Sequence, residues 1–138
     1  MCVFCEIARG DVDAEVVYED EISLVFLDHR PIFPGHCLLI TRDHYETLPD
    51  LPGDLIGPYF TNARLLADVV PSAMEAEGSF VAINNKVSQS VPHLHVHVVP
   101  RRRKDGLRGF FWPRRKYADD AERRAVGDRL RAALGTSA

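Results

Sequence analysis

Three histidines at alternating positions are the residues of this chain best suited to chemistry. They stand in a segment that reads His93-Leu94-His95-Val96-His97 and continues with two valines. In a β-strand, successive side chains face opposite sides, so the three imidazoles would share one face and the apolar side chains the other. Three imidazoles are poor core material, and three imidazolium cations would repel one another. We therefore interpret the row as a metal site or as a catalytic and phosphate-binding row.

A row of imidazoles suits chemistry at phosphorus. The ordinary pKa of histidine is about 6.5, so an imidazole can be neutral at pH 7 and attack as a nucleophile. A neighbouring imidazole can donate hydrogen bonds to phosphate oxygens or protonate the leaving group. Which ring nitrogen is free depends on the bond that the other nitrogen makes, and this is a question for the structure.

The N-terminus carries a second pattern. Cys2 and Cys5 form a Cys-x-x-Cys, whereas the third cysteine, Cys37, stands alone. No signal-peptide pattern precedes Cys2, so the odd number of cysteines predicts a reducing compartment, here the cytoplasm. In such a compartment the two cysteines either have no common role, bind a metal or are redox-active. The lack of a βαβ pattern after them disfavours the redox role. A closed zinc site would need two further cysteine or histidine ligands.

Composition limits the remaining classes of protein. The chain has 138 residues, of which 46% are hydrophobic and 27% charged, and these values are typical of a single globular domain. It contains no apolar run of the roughly 20 residues that a membrane helix requires, so we expect no membrane association. A net charge of −3 disfavours a protein that binds nucleic acid with its whole surface.

One segment departs from this average charge. Eight of the 17 basic residues lie between Arg101 and Lys116, interrupted by Phe110, Phe111 and Trp112. Interleaved basic and aromatic residues can bind single-stranded nucleic acid or stack on a base, and a positive segment can steer a polyphosphate. We favour a solvated rim whose aromatic residues close the core or a dimer interface, which makes nucleic acid an unlikely partner.

The elements that must position these residues follow from the apolar pattern. It predicts strands over residues 15–27, with a turn at 19–21, and over 36–41, 79–84 and 93–99. Three- and four-residue spacing predicts helices from 54 to about 77 and from 118 to 134, with Pro71 kinking or ending the first. We expect His29 and His36 to be structural or solvent-facing and Cys37 to be a core residue. This order of elements predicts an α+β fold with helices against one face of a sheet.

The histidine segment resembles the His-φ-His-φ-His-φ-φ signature of the histidine triad (HIT) superfamily, in which φ is apolar. Further segments between residue 2 and about residue 100 are similar to HIT segments in order and spacing: Cys2-Val-Phe-Cys-Glu-Ile, Val17-Tyr-Glu-Asp, Phe26-Leu-Asp, Pro34-Gly-His and Gln89-Ser-Val-Pro. The resemblance implies a HIT-like α+β fold, an antiparallel sheet with helices packed on it, in one domain. Residues 1–100 would form the nucleotide-binding and catalytic core. Residues 101–138 would add the basic-aromatic segment and a C-terminal helix packed on the same domain.

The resemblance also implies an activity. It implies a homodimer that binds a purine nucleotide and cleaves nucleoside phosphoramidates or dinucleoside polyphosphates at the α-phosphate. His95 would be the nucleophile that forms a nucleotidyl-histidine intermediate. Five residues would contact the substrate: His97 at the phosphate oxygens, Asp28 at the ribose, Asn84 beside the phosphate, and Gln89 and Ser90 near the leaving group.

A zinc site is implied in the same way. In HIT relatives that keep the Cys-x-x-Cys, the other ligands are a histidine after the Pro-Gly-His strand and the first triad histidine. The resemblance therefore implies a structural zinc, with no organic cofactor, held by Cys2, Cys5, His44 and His93. It would fasten the N-terminus to the catalytic strand. In the alternative, His44 is an ordinary loop residue and His93 a hydrogen-bonding relay without metal.

The chain departs from its relatives in one loop. Many relatives have a Gly-rich stretch between the asparagine and the glutamine, whereas this chain has Asn85-Lys86-Val87-Ser88 and is about two residues shorter. Because glycine lets a backbone approach a phosphate closely, the leaving-group contacts and the substrate preference are open. Lys86 could supply charge there instead. The alternative function is a zinc-stabilised nucleotide-binding or protein-interaction module with negligible turnover.

Overall fold

Five strands form one antiparallel sheet. The structure is a computed structural model that describes residues 2–108 and 113–135. In chain order the elements are α1 (Val3–Arg9), β1 (Val16–Glu19), β2 (Ser23–Leu27), β3 (Cys37–Thr41), a 3-10 turn (Leu48–Asp50), α2 (Gly53–Ala73), β4 (Gly78–Ala82), β5 (His95–Arg101) and α3 (Asp120–Leu134). The strand order is β1-β2-β3-β5-β4, and all neighbours are antiparallel. The predicted α+β fold with an antiparallel sheet is confirmed.

Strand register divides the sheet into two faces. Phe26 pairs with Leu38, which pairs with His97, and side chains of directly paired residues project from the same face. On this face, Phe4 of α1 packs with Phe26 and Leu38 in a buried apolar cluster. Val96 alternates with the histidines of β5 and therefore projects from the opposite face, where it belongs to the cluster that includes buried residues of α2.

Helices cover both faces of the sheet, not one as the apolar pattern predicted. The seven residues of α1 make barely two turns, too few for a periodic pattern to be read from the sequence. Cys2 is its N-cap, and Gly10 ends it with φ 82°. On the other face, α2 ends at Ala73, two residues after Pro71 and short of the predicted end near 77. This agrees with the expectation that Pro71 kinks or ends the helix, because proline has no backbone N–H to donate to the preceding turn.

The strand that carries His95 and His97 begins two residues later than predicted. β5 starts at His95 because the preceding backbone has other partners: the N–H of His93 donates to the Val91 carbonyl at 2.8 Å, and the N–H of Leu94 donates to the Tyr45 carbonyl at 2.7 Å. His93 therefore lies outside the strand that carries the other two triad histidines. This separation gives the first histidine different neighbours from the other two.

The chain divides into two compact units, Met1–Asp105 and Gly106–Ala138. The second contains α3, whose N-cap Asp119 accepts a hydrogen bond from the backbone N–H of Glu122 at 2.8 Å. The packing of residues 101–138 on the core stays a prediction, and Phe110, Phe111 and Trp112 lie outside the described residues. No helix in the described ranges is long and apolar enough to cross a bilayer.

Candidate active site and metal centre

A cavity of about 570 Å³ opens on the α1 face of the sheet. Its apolar walls come from α1, from the segment that follows it and from β2 and β3: Val3, Phe4, Ile7, Val12, Ala14, Phe26, Leu27, Leu38 and Val91. Its polar lining includes Asp28, Ser90, His95 and His97. A largely apolar cavity with a few converging polar groups is the usual form of a small-molecule site, so this is the candidate active site.

His95 presents one unprotonated ring nitrogen. Its Nδ1 lies 2.7 Å from the backbone carbonyl oxygen of His93, and because a carbonyl only accepts, Nδ1 carries the proton. Nε2 therefore keeps its lone pair. The ring is 3% exposed and meets Phe4 edge-on at a centroid distance of 5.1 Å. Burial lowers the pKa of His95, which favours the neutral ring and leaves Nε2 able to act as a nucleophile.

His97 is held by a histidine to which the sequence interpretation gave no role in the site. His36 is buried, and its Nδ1 accepts a hydrogen bond from the backbone N–H of Ile32 at 3.1 Å. The proton of His36 therefore sits on Nε2 and is donated to Nδ1 of His97 at 3.0 Å. His97 must then carry its own proton on Nε2. This arrangement makes His97 a hydrogen-bond donor of the kind that a phosphate oxygen requires.

Both members of this pair are neutral at pH 7. Burial, together with the neighbouring His95 and His36, lowers the pKa of His97 to about 4, while Asp28 acts in the opposite direction. Burial also lowers the pKa of His36. His36 is thus part of the site, and its position directly after Pro34-Gly35 at the start of β3 is the sequence signal that could have identified it.

Asp28 lies at the cavity with one oxygen engaged. Its Oδ1 accepts the backbone N–H of Arg30 at 2.9 Å, which holds the carboxylate at the end of β2. Its Oδ2 lies 3.7 Å from Nε2 of His36, beyond ordinary hydrogen-bond distance. A carboxylate has several acceptor positions, so Asp28 retains the capacity to bind a hydroxyl of a ligand.

The structure separates the three loop residues that the sequence groups as substrate contacts. Ser90 lines the cavity. The Gln89 side chain donates from Nε2 to the Glu46 carbonyl at 2.6 Å and accepts the Lys86 N–H on Oε1 at 2.8 Å. The side chain of Asn84 donates to the Ser88 carbonyl at 3.3 Å. Gln89 and Asn84 therefore hold the loop itself together.

The same loop has a backbone conformation that usually favours glycine. Lys86 has φ 71° and Ser88 has φ 62°, both in the left-handed region. The sequence has no glycine in this loop, yet the backbone is left-handed at both positions. Non-glycine residues pay a conformational cost of about 1 kcal/mol or more for such angles. The hydrogen bonds of Gln89 and Asn84 offset that cost.

Four side chains meet on the far side of His93 in a set that suits a metal ion. Cys2, Cys5, His44 and His93 place one ligand atom each within 4.8 Å of one another. Nδ1 of His93 lies 3.3 Å from Sγ of Cys2 and 3.5 Å from Sγ of Cys5, and Nδ1 of His44 lies 3.3 Å from Sγ of Cys5. Tetrahedral zinc bonds would separate sulfur and nitrogen ligands by about 3.6 Å, so the group fits zinc.

The protonation of His93 agrees with that fit. Its Nε2 lies 2.7 Å from the Thr41 carbonyl oxygen and must be the protonated nitrogen, which leaves the Nδ1 lone pair directed at the two sulfurs. Burial lowers the pKa of His93 and so favours the neutral ring that a metal needs. The four residues predicted as ligands are thus brought together, and His93 lies two residues before the start of β5.

Asp28, His36 and His97 also lie close enough together to bind one metal ion. The positions of the ring protons, however, argue against metal binding. Nε2 of His36 could bind a metal only through its lone pair, and the proton of the ring would then have to be on Nδ1. That nitrogen already accepts the Ile32 N–H, so the ligand form of His36 would bring two hydrogens together. This cluster is consequently better suited to hydrogen bonding than to metal binding.

Two of the four basic residues at the start of the basic segment form ion pairs with carboxylates. Arg101 binds Asp105 with a shortest N–O distance of 2.6 Å, and Arg103 binds Glu77 at 2.8 Å. Such pairs reduce the positive field available to a nucleic acid, so they support the interpretation of this segment as a solvated rim.

Comparison with known proteins gives consistent matches. The HIT domain family model matches residues 9–104. The protein named hit of Bacillus subtilis is 36% identical over 86% of this chain and 82% of its own. An adenosine 5'-monophosphoramidase of Saccharomyces cerevisiae is 34% identical over 77% of this chain and 66% of its own. A bis(5'-nucleosyl)-tetraphosphatase of Schizosaccharomyces pombe is 34% identical over 71% of this chain and 55% of its own.

Solved structures agree with these matches. A HIT family member from Bacillus subtilis superposes with a TM-score of 0.83 at 31% identity and covers 99% of both chains. A zinc-bound histidine triad protein from Mycobacterium smegmatis superposes with a TM-score of 0.73 at 36% identity and covers 96% of both chains.

Proposed function

This chain belongs to the HIT family, and from that membership and its site we propose that it is a nucleotide hydrolase acting through a nucleotidyl-histidine intermediate. The proposed substrates are purine nucleoside phosphoramidates or dinucleoside polyphosphates, cleaved at the α-phosphate. The observation that carries the proposal is the bond from Nδ1 of His95 to the His93 carbonyl, which leaves Nε2 of a buried, neutral ring as the nucleophile. The two relatives named for nucleotide cleavage support the same class of reaction.

In the first step, the Nε2 lone pair of His95 attacks the α-phosphorus and a P–N bond forms as the bond to the leaving group breaks. The ring becomes cationic, and the His93 carbonyl stabilises that charge through Nδ1–H. The leaving amine or nucleotide takes up a proton from solvent as it departs. In the second step, water attacks phosphorus and gives one proton to solvent as the P–N bond breaks, which releases the nucleoside monophosphate and regenerates neutral His95.

The other site residues have binding roles in this proposal. His97 donates from Nε2–H to a phosphate oxygen, because His36 holds its Nδ1. Asp28 accepts from the ribose hydroxyls, and the apolar walls take the base. Ser90 approaches the leaving group, while Asn84 and Gln89 act on substrate through the backbone of the loop that their side chains bridge.

We assign a structural role to zinc at Cys2, Cys5, His44 and His93. All four tetrahedral positions are taken by protein ligands, so such an ion has no open position for substrate. It would tie α1 to the residue whose carbonyl orients His95. The free thiols of Cys2 and Cys5 are consistent with a reducing compartment such as the cytoplasm.

The test is turnover by the purified protein. Adenosine phosphoramidate and diadenosine tetraphosphate are incubated separately while adenosine monophosphate is measured, with His95→Asn as the matched inactive variant. We expect release from at least one substrate by the native protein only. Equal turnover by His95→Asn would refute the role of His95.

The loop at residues 84–89 favours a second candidate, a nucleotide-binding module with negligible turnover. Gln89 uses both ends of its amide within the protein, which leaves fewer donors for a leaving group. Tight binding of adenosine monophosphate, without product from either substrate, would support this candidate over the hydrolase.

A homodimer is also proposed. Ile56 and Phe60, one turn apart on α2, are 46% and 38% exposed, and a second copy could cover them. Sedimentation equilibrium of the native protein is expected to give twice the chain mass. Phe60→Glu should shift it toward the single-chain mass if this surface is used.

A further inference from the structure

The cavity depends on a short helix for one of its walls. Val3, Phe4 and Ile7 of α1 all line it, and the Phe4 ring also meets the His95 ring at 5.1 Å. Seven residues are too few to form a stable helix alone, so α1 must be held by tertiary contacts. What holds α1 therefore also holds a wall of the nucleotide pocket.

Apolar packing holds one side of α1, and the cysteine pair supplies two polar contacts at its N-terminal end. Phe4 packs against Phe26 at a centroid distance of 5.3 Å, and the Ala8 carbonyl accepts from Arg42 at 3.4 Å. At the other end, the sulfurs of Cys2 and Cys5 meet His93 and His44. The two cysteines flank Val3 and Phe4, the first two residues of α1.

The two thiols are open to a reagent and close to one another. Cys2 and Cys5 are both partly exposed, and their partner His44 is exposed, whereas Cys37 is 4% exposed within the core. Cys2 is the N-cap, and its sulfur folds over the first turn to lie 3.5 Å from the backbone nitrogen of Cys5. A bond between the two sulfurs thus requires adjustment within a single turn of helix.

We infer that Cys2 and Cys5 form an oxidation site that controls nucleotide binding, an inference that rests on the proposed metal site and nucleotide pocket. A hydroperoxide accepts two electrons from the two thiolates, one S–S bond forms, and with two protons hydrogen peroxide becomes two molecules of water. A disulfide offers no thiolate ligands, so Cys2 and Cys5 would then release a bound metal ion without changing its oxidation state. A dithiol reductant reverses the reaction and permits metal to return.

Oxidation removes both sulfur contacts to His93 and His44 while Phe4 remains in the core. α1 then retains the apolar contacts of Phe4, Ile7 and Ala8 and the bond from Arg42, but its first turn has lost both sulfur contacts. We expect this end of the helix to open more often, and the pocket wall that it forms opens with it. Because metal and nucleotide both favour the docked helix, each raises the affinity of the other. We expect the disulfide form to bind adenosine monophosphate about tenfold more weakly.

The experiment uses the full chain with Cys37→Ser, loaded with zinc, so that one disulfide alone can form. It is treated with hydrogen peroxide, and zinc release is followed with a chromogenic chelator while peptide mass mapping locates the disulfide. Adenosine monophosphate affinity is measured by calorimetry, and hydrogen exchange is measured for the α1 amides. The matched control is Cys5→Ser in the same background, which cannot form the bond.

Zinc release, a Cys2–Cys5 disulfide, weaker binding and faster exchange in α1, all reversed by dithiothreitol and zinc, would support the inference. The Cys5→Ser control should bind weakly from the start and should not respond to peroxide. A verified disulfide with unchanged exchange in α1 overturns the inference, as does peroxide treatment that forms no disulfide. If the reduced protein binds no nucleotide, the proposed function fails, and the exchange measurement alone decides whether the thiols control α1.

Discussion

The two faces of the sheet are built from the same strands but have opposite character. Beneath α2, Val25, Leu39, Val96 and Val98 are fully buried and apolar, and a 21-residue helix covers them. Beneath α1, the same strands present His95 and His97 to a cavity, and the cover is a seven-residue helix. One residue along β5 thus separates a side chain that stabilises the fold from a side chain that can do chemistry.

This difference indicates where stability and activity reside. A face sealed by a long apolar helix contributes most to the free energy of unfolding, because buried apolar area dominates that term. A face closed by a short helix can admit a ligand, and its polar groups are held by hydrogen bonds to backbone. Substitutions on the two faces should therefore separate the two properties.

The largest effect is expected on the α1 face. His95→Asn removes the nucleophile, and we expect the hydrolysis rate constant kcat to fall by about 1,000-fold or more. The unfolding midpoint in urea should fall only slightly, because the ring contributes two edge-on ring contacts, to Phe4 and His97, and one hydrogen bond. If His95→Asn loses activity only in proportion to its loss of folded protein, the α1 face would not differ from the α2 face in its contribution to activity.

The opposite face should show the converse. Leu39→Ala truncates a side chain that is 0% exposed, and we expect it to lower the free energy of unfolding by about 3 kcal/mol. Urea denaturation measures the loss, and kcat is measured below the unfolding transition. We expect kcat per folded molecule to stay within about twofold of the native value. A large fall in kcat without any loss of stability would contradict the assignment of stability, rather than activity, to this face.

The histidine pair on the α1 face should make stability depend on pH. The pKa of His97 is about 4 in the folded protein and about 6.5 when unfolded, so the unfolded chain binds this proton first as pH falls. The free energy of unfolding should therefore decrease between pH 6.5 and pH 4, by about 2 kcal/mol after allowance for partial exposure of the ring. His97→Asn should lack this contribution. Urea denaturation of both proteins in chelator, at pH 7 and pH 4.5, tests the difference.

A single hydrogen bond beneath α2 should have the smallest effect. The buried hydroxyl of Tyr59 donates to the Leu39 carbonyl at 2.8 Å. Tyr59→Phe keeps the ring and removes the donor, so we expect a loss of about 1 kcal/mol in the free energy of unfolding and unchanged kcat. An effect as large as that of Leu39→Ala would mean that this face relies on polar contacts more than its composition indicates.

The sequence predicted the α2 face well because that face depends on periodicity. The apolar spacing of the helix from residue 54 and the alternation along β5 are local properties, and both were found with errors of a few residues at their ends. The predicted ligands Cys2, Cys5, His44 and His93 also converge, but their identification relied on resemblance. No spacing rule connects residues that are 39 to 91 positions apart.

The sequence predicted the α1 face less completely. His36 had no assigned role because its importance lies in two hydrogen bonds, to Ile32 and to His97, that only the folded chain can reveal. The predicted start of β5 was wrong because the Leu94 N–H donates to the carbonyl of Tyr45, which is distant in the sequence. No local sequence pattern indicates this hydrogen bond. The choice of ring nitrogen in each histidine likewise depends on tertiary neighbours.

The central claim is that His95 attacks the α-phosphorus through Nε2. The most direct measurement mixes the protein with adenosine phosphoramidate, quenches within one turnover under conditions that preserve a P–N bond, and maps the modified peptide by mass spectrometry. We predict one adenylyl group on His95, absent from His95→Asn and lost when the native protein is allowed to complete turnover. An adenylyl group on another residue, or rapid turnover with no adduct at His95, would contradict the account.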